Sequence, residues 1–465
     1  AYADAGANAV QELAFALSTA TDYLRALLER GIEINTAAQS IRFTFSLGSH
    51  LFMEIAKLRA VRVLWASIVR AFGGSEAAAR IRIHGRTALS NKTLLDPYVN
   101  MLRTTTEAFA GAIGGLDSMH VGAFDETIRE PNDFSRRIAR NTQLILQEEC
   151  ELLGIIDPAG GSYYIETLTA QISDAAWKTF QELEAAGGFA KALDQEKPHE
   201  LIAESIAFLD KAVNQRRQVI VGTNQYADPA EKLLDRQSPN YAALRSSRVT
   251  EVASASNDSK EKADALTAIA TVTGAARVDA AIAAAAAGAT LGEIATALRA
   301  NGGESVSVKA LRPYNWSANY EKLRLASKAF TEKTGSAPKL FLATMGPVRQ
   351  HKARADFTQS FFAGAGLDIL YPAGFKTVDE AVAAVIESGA KATVICSTDD
   401  TYPEIVPALT KALKAAQPDH TVILAGIPAE EHAAAYNEAG LDSNISIKSN
   451  NYETLENLLK TLEVL

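Results

Sequence analysis

An imidazole can bind a metal or carry a proton near neutral pH, so the seven histidines are the first residues to place. His351 stands in the stretch MGPVRQHK, directly after the apolar run KLFLAT (339–344). On a loop at a strand tip it would be either the ligand of a metal-centred cofactor or a solvated loop histidine, and a single imidazole favours the solvated reading. His84 and His120 come at the ends of β-rich runs, where a parallel barrel places its working side chains, so both are candidates for acid–base chemistry. His50, His199, His420 and His432 have no partners at ligand spacing and receive no role. Asp399-Asp400 has the composition of a divalent-cation or acid–base pair, but adjacent carboxylates on a turn more commonly face water or cap the next helix. Arg136, Arg137 and Arg140 share one helix face within reach of a phosphate, and a structural network is the preferred assignment. No HxxxH, CxxC or nucleophile-elbow pattern occurs.

The elements that position these residues follow a strand–helix rhythm. IRFTFSLG (41–48), ARIRIHG (79–85) and DSMHVG (117–122) are predicted strands, with helices over 51–72, 97–113 and 133–150. A fourth helix, over 164–186, stops at Gly187-Gly188. Strands alternating with crossover helices imply a parallel sheet covered on its outside. Three such units are too few to close a barrel, so the missing units are expected from upstream residues or another chain. From about 190 to 335 the pattern turns helical, with a polar linker SASNDSKEKADA (254–265), a helix pair in 278–300 split near Gly288, loops at NGGES and LRPYNW, and a helix over 320–334. After 339 the rhythm returns: KLFLAT, DILYP (368–372), ATVICS (392–397), TVILAG (421–426) and SNISIK (443–448) predict a flavodoxin-like, doubly wound domain whose ligands would lie beyond the strands' carboxyl ends.

The bulk properties exclude several classes. A net charge of −9 over 465 residues, with both signs interspersed, offers no basic stripe, so nucleic acid is not an expected partner. No apolar run approaches the roughly 20 residues of a membrane span. Cys150 and Cys396 lie far apart on apolar-rich segments and are expected to be buried free thiols in a reducing compartment, which places the chain in the cytoplasm. The chain opens on AYADAGANAV without methionine, directly before a helical pattern, and is read as a truncated or processed continuation of something longer.

Four long stretches, LFMEIAKLRAVRVLWA (51–66), DPYVNMLRTTTEAFAGAIGG (96–115), FSRRIARNTQLILQEE (134–149) and IDPAGGSYYIETLT (156–169), resemble the methylmalonyl-CoA mutase family, and the flavodoxin-like tail follows in the family's order. The resemblance implies the C-terminal part of a (β/α)8 TIM-type barrel (1–190) that binds acyl-CoA along its axis, a helical linker region (191–335), and a cobalamin-type domain (336–465). The implied reaction is the radical interconversion of methylmalonyl-CoA and succinyl-CoA, with adenosylcobalamin carrying the radical chemistry.

The loops on which family members rely depart from the pattern. Cobalamin-binding members carry Asp-x-His-x-x-Gly after the tail's first strand, in which histidine ligates cobalt, aspartate holds its second nitrogen and glycine clears the nucleotide arm. Aligned on Met345-Gly346, this chain has Val348 for the aspartate and Gln350 for the histidine. A one-residue slide puts His351 in the ligand slot but Arg349 and Arg354 at the aspartate and glycine positions, and Arg354 would obstruct the arm. The family's Ser-x-Leu becomes Ser397-Thr398-Asp399, its Gly-Gly becomes Ala425-Gly426, and a lysine before Met-Gly becomes Thr344. In the barrel, Ala1 stands for a histidine, His84-Gly85-Arg86-Thr87-Ala88-Leu89 for His-Cys-Gln-Thr-Ser-Gly, and Met119-His120-Val121-Gly122 for Leu-His-Thr-Asn.

With their matching neighbours lost, His84 and His120 are expected to be structural, each hydrogen-bonded in the barrel, and no metal site is expected. The resemblance is to the small, non-catalytic subunit of a heterodimeric mutase, whose homologous large catalytic subunit would carry adenosylcobalamin and acyl-CoA. Two alternatives stay open: a self-sufficient acyl-CoA mutase holding cobalamin in a relaxed way, and a CoA-binding regulatory module.

Overall fold

The computed structural model describes every residue except 1, 153, 229–230, 236–238, 256–257, 301 and 303–306. Ala1, and parts of the SASNDSKEKADA and NGGES segments, lie outside the described residues. Residues Ala1–Asp235 and Ala310–Leu465 form one compact unit, and Arg236–Lys309 a second.

Helix α1 (Ala9–Glu29) starts where Asn8 and Gln11 form a reciprocal capping box, and it buries Leu13, Leu17 and Leu24 along one face. The short helix α2 (Ile34–Ser40) leads to strand β1 (Phe43–Leu47), then come α3 (Leu51–Ala71), β2 (Ile83–Thr87), α4 (Val99–Ile113) and β3 (Ser118–His120). The three strands pair in parallel in the order β1-β2-β3, as the crossover rhythm predicts. Period-two alternation divides the sheet into two faces. Phe43, Phe45, Leu47 and Ile83 pack under α1 and α3 in the main core, against Leu58, Trp65 and their neighbours. Thr44, Ser46, His84, Arg86, Ser118 and His120 occupy the opposite, polar face.

The second strand differs from its expected span of 79–85. It starts at Ile83, opposite Phe43, and runs through His-Gly-Arg-Thr to Thr87, opposite Leu47. Gly85 permits this, because a Cβ there would lie 2.2 Å from the Leu116 side chain that packs across the strand.

Helix α5 (Asp133–Leu144) continues into a π turn, Ile145–Glu149. The wider turn shifts the register of the residues after it, and Cys150, expected to be buried, is exposed. The chain continues through α6 (Tyr163–Ala185), α7 (Phe189–Asp194) and α8 (Lys197–Asn214). The second unit contains α9 (Tyr241–Ala255), α10 (Lys260–Thr271), α11 (Ala275–Ala286) and α12 (Leu291–Arg299). The alanine-rich stretch breaks between α11 and α12, where Gly288 adopts φ +88°.

Helix α13 (Ala318–Thr334) leads to the second sheet, built from β4 (Lys339–Thr344), α14 (Val348–Phe362), β5 (Asp368–Leu370), α15 (Val378–Ser388), β6 (Ala392–Cys396), α16 (Tyr402–Ala416), β7 (Thr421–Ala425), α17 (Glu430–Glu438), β8 (Ser443–Ile445) and α18 (Asn451–Thr461). All five strands are parallel, in the order β5-β4-β6-β7-β8. Helices cover both faces. Leu340, Leu342, Val394 and Ile423 pack with α13, α14 and α18, while Phe341, Ala343, Ile395 and Leu424 pack with α15 and α16. The chain direction reverses beside β4, which opens a crevice at the carboxyl ends of β4 and β6.

Candidate functional site

Two places collect the polar residues singled out by sequence. The first is the polar face of the three-stranded sheet. Its register places Thr44, His84 and Ser118 in one row and Ser46, Arg86 and His120 in the next. His84 is therefore the second residue of its strand rather than the last, one level deeper than His120, which does end β3. His84 Nδ1 and Ser118 Oγ are hydrogen-bonded at 2.9 Å. Arg86 Nη2 donates to Glu126 Oε2 at 3.1 Å. Burial lowers the His120 pKa, and the neighbouring Arg86 and His84 add to the fall. Burial raises the Glu126 pKa while Arg86 opposes the rise. Glu126 occupies a notch at Gly122, where a Cβ would lie 1.9 Å from Oε1.

At the carboxyl end of β1 a cavity of about 530 Å³ is lined in part by Ser46, Ser49, His50, Glu12, Glu54 and Lys57. Lys57 Nζ lies 2.7 Å from Glu12, 2.6 Å from Glu54 and 2.6 Å from the Ser46 carbonyl. Burial disfavours the Lys57 ammonium, but the two carboxylates outweigh it and raise its pKa. Burial raises the Glu54 pKa, with Lys57 opposing. Two carboxylates share one ammonium. Glu12 also accepts from the Ser46 N–H at 2.9 Å, so the pair caps the outer edge of β1. Sequence reading passed over this cluster. Its one signal is a Glu and a Lys at i, i+3 in the otherwise apolar start of a helix that directly follows a strand.

The second place is the crevice beyond β4 and β6. His351 lies there, but in the first turn of α14, with 2 % of its surface exposed, so the solvated-loop reading is overturned. Its Nδ1–H donates to the Gly346 carbonyl at 2.9 Å, and its ring packs against Gly374, where a Cβ would come within 2.6 Å of Cε1. The helix begins three residues earlier than a solvated loop requires, and that turns the imidazole inward. Val348 points to solvent, and Gln350 folds its amide oxygen over Gly346, which has φ +81°. Thr344 is buried, and its hydroxyl donates to the Pro372 and Ala373 carbonyls.

On the far side of α14, Arg354 Nη2 donates to both Asp399 oxygens, at 2.8 and 3.1 Å. The pair spans from α14 to the β6–α16 loop directly above Gly426. A Cβ at Gly426 would lie 3.2 Å from the Tyr402 ring, 3.6 Å from Asp399 Oδ1 and 3.7 Å from Arg354 Cζ. Tyr402 is buried between the strand ends, its hydroxyl donating to Ala425 O at 2.7 Å and accepting from Ser397 N–H at 3.1 Å. The Ser397 hydroxyl donates to Met345 O and accepts from Thr401. Ser397 and Gly426 are thus joined through Tyr402, a residue that sequence reading did not single out. Asp399 is committed to Arg354, while Asp400 has no part in the crevice's bonds among the described residues. Among the described residues no group of three or more His, Cys, Asp or Glu side chains could hold a metal ion, and no helix is long and apolar enough to cross a membrane.

Residues 1–304 match the family model for methylmalonyl-CoA mutase. The small subunit of methylmalonyl-CoA mutase from Porphyromonas gingivalis is 35 % identical over 457 residues, covering 97 % of this chain and 63 % of that protein. The large subunit from the same organism is 33 % identical over 94 % of this chain and 63 % of its own length. Methylmalonyl-CoA mutase from Rhizobium meliloti is 34 % identical over 92 % of this chain and 62 % of its own length. The chain therefore spans just under two thirds of the length of these relatives. A match of this extent, over a chain whose parallel sheets and crossover helices follow the expected order, places it in the methylmalonyl-CoA mutase family.

Proposed function

We propose that this chain is the non-catalytic small subunit of an adenosylcobalamin-dependent methylmalonyl-CoA mutase, a scaffold for a homologous large subunit that holds the cofactor and the acyl-CoA. In this reading the first sheet is the C-terminal part of a (β/α)8 barrel (1–190), the middle is a helical linker (191–335), and the second sheet is a flavodoxin-like domain (336–465). The partner is suggested by the small and large subunits found together in one organism. The cytoplasm is the compartment that fits a pair of free thiols.

One observation carries the reading: the space beside Gly426, which a nucleotide arm would need, is narrowed by the chain's own Tyr402 ring, 3.2 Å from where a Cβ would lie, and bordered by the Arg354–Asp399 bridge. His351 is poorly placed as a cobalt ligand as well, because 2 % of its surface is exposed and its ring packs against Gly374. On the barrel side, Arg86 and Glu126 stand where small polar side chains would leave room for a thioester arm.

The test is spectroscopic. The purified chain, mixed with cobalamin in excess and passed over a sizing column, is expected to emerge colourless with no visible-band shift. A coloured 1:1 complex refutes the proposal in favour of a self-sufficient mutase. A saturating calorimetric isotherm with CoA would instead refute it in favour of a CoA-binding regulatory module.

A further inference from the structure

The loop that leaves β2, residues 88–96, contains neither strand nor helix, yet it is held from both sides. Toward the barrel, Lys92 Nζ donates to both oxygens of Glu107, at 2.7 and 2.8 Å, and to the Ala88 carbonyl at 2.8 Å. On the other side it is bonded to the segment that leads into α13. Trp316 N–H donates to Ser90 O at 2.9 Å, Asn315 Nδ2 donates to Lys92 O at 3.3 Å, and the Leu94 N–H donates to Glu321 Oε1 at 2.8 Å. Asp4 ties the same parts again. Its carboxylate accepts from Leu89 N–H at 3.1 Å and its carbonyl from Tyr314 N–H at 2.8 Å.

Helix α13 holds the second sheet with the neighbouring side chains. Tyr320 and Leu323 are fully buried in the core beneath β4 and β6. Tyr320 Oη donates to Asn451 Oδ1 at 2.9 Å, Asn451 Nδ2 donates to Phe361 O at 2.8 Å, and Ser327 Oγ donates to Ala365 O at 2.6 Å. Glu321 is the tie between the two sets. Its carboxylate is 6 % exposed and accepts from the rim-loop N–H and from Ser317 Oγ, one position along from Tyr320. A buried acceptor that loses its donors is costly to leave unsatisfied.

We infer that α13 and residues 314–317 form a strut that locks the β2–α4 rim loop to the domain carrying the crevice, so that the two sheets move as one body and the loop cannot open by itself. The device is independent of whether the chain binds cobalamin or CoA. It sets the distance between barrel rim and crevice from within the chain, without a ligand.

The test uses the full chain with Cys150→Ser and spin labels at Ser67→Cys and Lys411→Cys, both exposed positions on the first and second sheets' helices. Electron–electron double resonance on this labelled parent is expected to give one narrow distance population. Glu321→Gln, which keeps an acceptor oxygen, is expected to preserve it. Glu321→Ala is expected to broaden or split it, with hydrogen exchange of the Leu94 amide at least tenfold faster. A broad or two-peaked distribution in the parent overturns the inference, and that measurement decides the question alone should Glu321→Ala fail to fold. So does a folded Glu321→Ala chain with the parent's distances and exchange rate.

Discussion

Replacing Gly122 by alanine tests whether the polar face of the first sheet is held by an internal bridge. Gly122 is not among the residues with positive φ, so an alanine there carries no backbone strain and its whole cost is steric. The added Cβ would lie 1.9 Å from Glu126 Oε1, 2.6 Å from Cδ and 3.0 Å from Oε2, which no small adjustment absorbs. Glu126 must leave the notch, and the 3.1 Å bond from Arg86 breaks with it. The bridge is partly exposed on the Arg86 side, so it contributes no more than about 1 kcal/mol. Adding the repacking around a displaced carboxylate, Gly122→Ala is expected to cost about 1–2 kcal/mol. The decisive comparison is the same substitution in a Glu126→Ala background, where the clash is gone. There it should cost nothing or stabilise, which gives a coupling of at least about 1 kcal/mol between the two positions. Urea-unfolding midpoints, with amide exchange in β2 and β3 to localise the loss, supply all four corners of the cycle. If Gly122→Ala costs the same with and without Glu126, the notch is not what holds that side chain.

Two further perturbations address buried charge elsewhere. Lys92 and Glu107 are each 1 % exposed, so Lys92→Met strands a buried carboxylate and should destabilise by about 3–5 kcal/mol, whereas Lys92→Met with Glu107→Leu should recover most of the loss; thermal unfolding of the three chains checks this. His420 donates from Nδ1 to Gln417 Oε1 and accepts at Nε2 from Thr393, and burial pushes its pKa from 6.5 down to about 4, with Lys414 adding to the fall. Its folded pKa lies below the unfolded one, so the unfolded chain binds the extra proton. Stability is then full above about pH 6.5 and declines as the pH falls toward 4, by up to roughly 3 kcal/mol. Urea midpoints measured across that window should show the decline, and His420→Gln should flatten it.

The alternation of strands and helices was legible because period-two and period-3.6 patterns survive in the buried faces. KLFLAT and TVILA are buried along nearly their whole length and could hardly be anything but interior parallel strands. The end of β2 was not legible. Arg86 and Thr87 lie past the expected strand, and their strand geometry comes from pairing with β1 across the intervening α3. His351 was placed on the right strand tip but with the wrong surroundings, since nothing local states that α14 begins at Val348. Arg354 was marked as bulky from its position alone, but Asp399, its partner 45 residues on, is a tertiary fact. The same holds for Glu12 and Lys57, also 45 residues apart, which meet only once β1 lies between their helices.

The departures from the family pattern are not simple losses. Where the resemblance aligns a small polar motif with β2 and the residues after it, Arg86 is answered by Glu126, and Glu126 fits because position 122 is glycine. Beyond the carboxyl ends of β6 and β7, Arg354 is answered by Asp399 beside a second glycine, Gly426. In each case a cation at the carboxyl end of a sheet is paired with an acid from a neighbouring loop, beside a glycine. Both bridges are partly exposed, so each contributes no more than about 1 kcal/mol. On the proposed scaffold reading, a single reversion toward the family motif, Arg354→Gly, should remove the bridge to Asp399 at a cost of no more than about 1 kcal/mol by urea midpoint and leave the chain colourless with cobalamin.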